Sequence, residues 1–162
     1  MHKPLRVWWH ELNTWQPQDA LAFYGRTLGW TFEPMQLPDG MAYWTARKGG
    51  LPVGGILALD EDLHAGIPSH WMTYMAVDAM DAAIEATLKA GGSLTRSAVA
   101  VPGIGVLAVV ADPAGALVGL MEPDRAHVTS GVWSGPRFEA KSEASREDET
   151  HPAFAPVRAQ AS

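Results

Sequence analysis

The hydrophobic pattern switches period early in the chain. LRVWWHEL is rich in bulky β-formers and reads as a strand. Its alternation sends Trp9, Glu11 and Asn13 to one face and Trp8, His10 and Leu12 to the other. NTWQPQD reads as a turn. DALAFYGRTLG then carries apolar residues at Leu21, Phe23, Tyr24 and Leu28, and Gly29 stops it. That helix starts near Pro17 or Gln18, since a proline in the first turn needs no donor. MAYWTAR and VGGILAL are strands around a GGLP turn, and DEDLHAGIPS is a linker. HWMTYMAV restarts the strand pattern. DAMDAAIEATLKAGG is an alanine-rich helix ended by glycine. SLTRSAVA, VLAVVAD and LVGLMEP follow as strands, joined by VPGIG and PAGA turns.

The order strand, helix, three strands therefore occurs twice. A shift of about 62 residues carries GWTFEP onto GSLTRS, and one of about 64 carries Gly55 onto Gly119. Each half has roughly 55 residues, too few to bury a sheet alone, so the halves must share one core. The fold class expected is α/β (α+β), with paired βαβββ modules forming a curved mixed sheet around a cleft. The domain is placed at residues 1–122, with modules at about 5–60 and 68–122. After Pro123 the pattern ends, and residues 123–162 read as a polar, mobile tail in which Trp133 and Phe138 stand out.

Composition narrows the functional classes. Of 162 residues, 47% are hydrophobic and 19% charged, which is globular usage. A formal net charge of -6 with no basic stripe argues against nucleic acid. The absence of cysteine removes disulfides, thiolate metal sites and cysteine nucleophiles. No apolar run is long enough to span a bilayer, so a cytoplasmic protein that does not engage membranes is expected. The glycine pairs lack the spacing of phosphate loops and read as turns.

FYGRTLGW after the first strand and DPAGALVGL at the end complete a pattern that resembles the vicinal-oxygen-chelate superfamily of glyoxalases, bleomycin-resistance proteins and extradiol dioxygenases. Within it the chain is similar to a glyoxalase-like bacterial group. The words carrying this are Trp9, Glu11, Leu12 and Thr14, then Ala22 to Trp30, then Trp71, Tyr74, Val77, Asp78, Asp81 and Ala83, and finally Asp112 to Ala116. The resemblance implies a U-shaped sheet, assembly within a chain or as a homodimer, and in metal-bearing relatives four ligands on the first and last strands of the modules. Those positions fall here on Trp9, Gly55, Met72 and Gly119. Tryptophan, glycine and a lone thioether do not hold a hard divalent ion, so no metal and no cofactor are expected.

The same resemblance turns Glu11 into the cleft. A carboxylate there has a raised pKa and serves as a general base or holds a ligand, or else it pairs with a backbone donor or an arginine and fixes the strand. Tyr74 donates to a ligand or simply packs. Asn13 orients a carbonyl or caps the turn before the first helix. His10 belongs to the packing face, and His64 and His70 follow no closed metal spacing. Trp9, Trp44, Met41 and Met72, with Met35, Tyr43 and Trp30, wall an apolar cavity or supply ordinary core. Gly55 and Gly119 give the cleft room or let the modules pack closely. Asp78 suits the N-cap of the second helix and Asp112 the final hairpin. Three functions follow: metal-independent binding of a small, partly apolar or aromatic molecule; a lyase or isomerase using Glu11 as base with Tyr74 or Asn13; and an interaction or regulatory protein working through its tail.

Overall fold

The computed structural model describes residues 7–37, 40–101 and 104–124. The tail from 125 onward, with Trp133 and Phe138, lies outside the described residues.

Eight strands form one sheet, ordered in space as Thr31–Gln36, Ala42–Lys48, Leu51–Ala58, Val7–Thr14, His70–Ala76, Leu117–Pro123, Gly105–Ala111 and Ser93–Val101. The first module runs β1 (Val7–Thr14), α1 (Pro17–Leu28), β2 (Thr31–Gln36), β3 (Ala42–Lys48) and β4 (Leu51–Ala58). A short helix, α2 (Glu61–His64), interrupts the linker. The second module runs β5 (His70–Ala76), α3 (Met80–Lys89), β6 (Ser93–Val101), β7 (Gly105–Ala111) and β8 (Leu117–Pro123). In each module the last strand returns parallel to the first: β4 beside β1 and β8 beside β5. The modules meet at the antiparallel β1–β5 pair, so the sheet is mixed and curves around a cleft.

The duplication read from the sequence reappears as register. Glu11 lies opposite Gly55 in the first module, and Tyr74 opposite Gly119 in the second. Alternation then divides each strand between two faces. In β7, Val109 joins the cleft-side cluster with Trp9, Met72 and Tyr74, while Ala108 and Val110 pack with Met80 of α3.

Several local expectations need correction. β1 continues through Asn13 and Thr14, where the residue pattern predicts a turn. Thr14, not Asn13, stabilises the entry to α1: its Oγ1 accepts from the Gln16 N–H at 3.1 Å. The N-cap of α3 is Ala79 rather than Asp78, and the Met80 N–H donates to the Glu122 carboxylate at 2.6 Å. A carboxylate from β8 thus meets the positive end of the helix in place of a local cap. Asp112 behaves as its sequence suggests, its Oδ1 accepting from the N–H of Ala114 at 2.8 Å and of Ala116 at 2.9 Å. Trp8 packs with the cleft-side cluster instead of the helix layer. The β1–β5 register slips between Val7 and Trp9, and an extra residue in one strand re-aims its neighbours.

Candidate functional site

A cavity of about 40 Å³ opens at the seam between the modules. Glu11 and Asn13 reach it from β1, and His70, Met72 and Tyr74 from β5. Leu57 and Leu59 close one side, Arg96 and Val109 the other. The linker contributes His64 and Ile67. Its volume suits about three water molecules, which favours a small ligand. The wall is aliphatic with polar groups set into it, less aromatic than the tryptophan content suggested.

Glu11 is 6% exposed. Its carboxylate is held by the Tyr43 hydroxyl, which in turn accepts from the Trp9 Nε1–H at 2.9 Å. Indole nitrogen only donates, so the tyrosine proton is directed at Glu11. Burial pushes the Glu11 carboxyl up from 4.5 to about 7; the Tyr43 hydrogen bond and the Arg96 charge restrain the rise. Tyr43 and Tyr74 are both held firmly protonated, by burial first and by the Glu11 charge second. The arrangement places a carboxyl that titrates near neutrality beside a guanidinium and a phenol, a set able to hold a polar ligand group or exchange a proton with it.

Of Trp9, Trp44, Met41, Gly55, Met72 and Gly119, the residues expected to wall the cleft, only Met72 lines the cavity, beside the expected Glu11, Asn13 and Tyr74. Trp9 lies in the adjoining core and acts on Glu11 through Tyr43. Met41 packs with Leu37, Tyr43 and Leu57 in a cluster under the first module. Trp44 does not wall the cavity. It pairs with Pro34 and Ile56, one residue out of phase with Tyr43, so it faces the other side of the sheet. Trp30 is also on that outer side, stacked on Tyr24 with ring centroids 5.6 Å apart and edge-on to Trp71 at 6.4 Å. His10 sits edge-on to Trp71 at 5.9 Å, in the same outer layer.

Gly55 and Gly119 do not enlarge the hollow. A Cβ on Gly55 would overlap the Tyr43 hydroxyl, and one on Gly119 the Tyr74 ring. The space two side chains would take is filled by two tyrosines. This bears on the metal implied by the resemblance. Its four positions are here an indole, two glycines that admit no side chain and a thioether, and this donor set does not fit a hard divalent ion. Among the described residues no group of three or more His, Asp or Glu side chains is placed to hold one.

Arg96, His64 and the enclosing role of the linker were not legible beforehand. The linker is clasped to the end of β1: the Trp15 Nε1–H donates to the Ile67 carbonyl at 2.7 Å, and the Trp15 N–H to Ser69 Oγ at 3.1 Å. The motif words quoted above include neither Trp15 nor Ser69, and spacing alone does not connect them.

Comparison with known proteins places this geometry. A family model described as a glyoxalase-like domain matches residues 9–121. CFP32 of Mycobacterium tuberculosis, whose name assigns it provisionally to the glyoxylases, is 36% identical over 115 residues, covering 71% of this chain and 43% of that protein. The anthracycline biosynthesis protein DnrV of Streptomyces peucetius is 30% identical over 119 residues, covering 67% of this chain and 43% of that protein. The chain therefore spans less than half the length of these relatives. Among solved structures, methylmalonyl-CoA epimerase from Mycobacterium tuberculosis is similar with a TM-score of 0.57 at 17% identity, covering 80% of this chain and 97% of that one, a likeness of fold.

Proposed function

The chain belongs to the glyoxalase-like domain family, and from that premise we propose that its cleft binds a small, partly apolar molecule without a metal, Glu11 being the group the ligand meets. One observation carries this reading: Glu11 is buried in the cavity wall, held by Tyr43, with its carboxyl pushed up to about 7. Burying an ionisable group away from water is costly, and a site that keeps one beside an open hollow is a candidate for ligand recognition. Apolar Leu57, Leu59 and Ile67 would take the hydrocarbon part of the ligand, and Arg96 its polar end. A relative named for anthracycline biosynthesis and a fold neighbour that is an epimerase support a small organic ligand.

The probe is cyclopentanone, a ring of suitable size with one carbonyl, added to the EDTA-treated full chain and followed by ¹⁵N NMR. Shifts centred on Glu11, Asn13, Met72 and Tyr74 are expected without added metal. Binding that appears only with a divalent ion would reverse the reading.

The Glu11 proton affinity also favours a second reading, proton transfer next to a carbonyl. Glu11 would take the proton as the C–H bond breaks. The electron pair would move onto the carbonyl oxygen, facing Arg96 or Tyr74, and the proton would return to carbon. In D₂O the protein should then speed exchange of the cyclopentanone α-protons, and Glu11→Gln should abolish that exchange even at ketone concentrations that saturate the variant. Exchange no faster than in buffer removes this reading and leaves the first.

A further inference from the structure

Asn13 and His70 are directly opposed across the antiparallel β1–β5 seam, and both line the cavity. Opposed residues in such a pair share a face, with Cβ atoms about 4.5–5.5 Å apart. Asn13 is 8% exposed, yet its carboxamide has no hydrogen-bond partner among the described residues. Its polar atoms keep contact with solvent, so the donors and the acceptor of the amide are open to a ligand in the hollow. The His70 ring is oriented from the opposite side. Its Nδ1 lies 2.8 Å from the Pro68 carbonyl, which only accepts, so Nδ1 carries the proton. In the neutral ring Nε2 is then a lone-pair acceptor.

We propose that Asn13 and His70 together read one edge of the ligand, and that this edge carries an acceptor beside a donor, as in a lactam or carboxamide. The proposal rests on the cleft being the ligand site and adds the chemistry of the ligand. Neutral His70 accepts only, so the ligand must bring it an N–H or O–H. Asn13 has donors to offer the neighbouring carbonyl. Water occupying the same place makes equivalent bonds, and a ligand that displaces it must return them. A ketone returns only one.

The test compares 2-pyrrolidone with cyclopentanone on the full chain by NMR titration. The two share a five-membered ring and a carbonyl and differ by N–H against CH₂. The lactam is expected to bind at least about fivefold more tightly, the scale of one hydrogen bond to a buried partner. His70→Phe should bring the two affinities to within about twofold of each other, whatever it does to each, and Asn13→Leu should weaken both. Equal affinities in the unmodified protein, with shifts still centred on the cavity, would overturn the paired reading and leave the site standing. No cavity shifts with either probe would overturn both. The ¹⁵N shifts of the His70 ring at pH 9 give a check that needs no ligand: the Nδ1–H tautomer is expected, and the Nε2–H tautomer overturns the proposal.

Discussion

The Tyr43 hydroxyl occupies the space that a Cβ on Gly55 would need. A glycine on β4 and a tyrosine on β3 are thereby coupled, and the tyrosine in turn holds Glu11. Gly55→Ala should cost about 1–3 kcal/mol through overpacking. Urea unfolding measures this. Combined with Tyr43→Ala the two costs should add to less than their sum, because the second change removes the obstacle to the first. Full additivity would mean the contact is not felt.

Tyr43→Phe removes the hydrogen bond that restrains the Glu11 carboxyl, so Glu11 should titrate above its present value of about 7. It also leaves the Trp9 indole N–H without the acceptor it uses now, at a cost of about 1–3 kcal/mol. A ¹³C NMR titration of Glu11 in both proteins reads the first effect and denaturant melts the second.

Arg96→Met withdraws a positive charge from Glu11 and from Tyr74. The Glu11 pKa should rise here too, and the rise in the unmodified protein should depend little on added salt, because partly buried pairs are weakly screened. An unchanged titration would place the guanidinium away from the carboxyl in solution.

Glu11 also ties stability to pH. Its folded pKa of about 7 stands above the ordinary 4.5, so the folded state binds the proton more tightly than the unfolded one. The contribution is fully present below 4.5 and is lost as pH rises through about 7. Its full size is about 3 kcal/mol. Glu11→Gln should flatten the decline between pH 4.5 and 8 in urea melts. An equal decline in both proteins assigns the effect elsewhere.

Trp15→Phe deletes the indole donor to the Ile67 carbonyl, which lies 2.7 Å away. A loss of about 1 kcal/mol is expected, together with faster hydrogen exchange in residues 60–69, since their clasp to β1 is weakened.

The duplicated architecture and the orientation of β1 were legible because both are periodic. Alternation separated Glu11 and Asn13 from His10, the resemblance chose which face is the cleft, and the structure sets Glu11 and Asn13 at the cavity and His10 against Trp71 on the outer layer. What broke the period was hidden. An extra residue between Val7 and Trp9 turns Trp8 inward, and nothing in VWW marks it. β6 slips twice, before and after Arg96, so its inward charge does not follow from counting. Trp44 was grouped with Tyr43 by composition, although adjacent strand residues must face apart. His64 and Ile67 meet the cavity through a linker path that no local pattern encodes.

The seam between β1 and β5 has a consequence for how the hollow arose and how it can change. Glu11 belongs to one repeat and Arg96 to the other, with the linker spanning both. Neither repeat owns a complete enclosure, so a fragment holding one alone would have lost the chamber along with its neighbour. Substitutions drifting through either half reshape the same shared space.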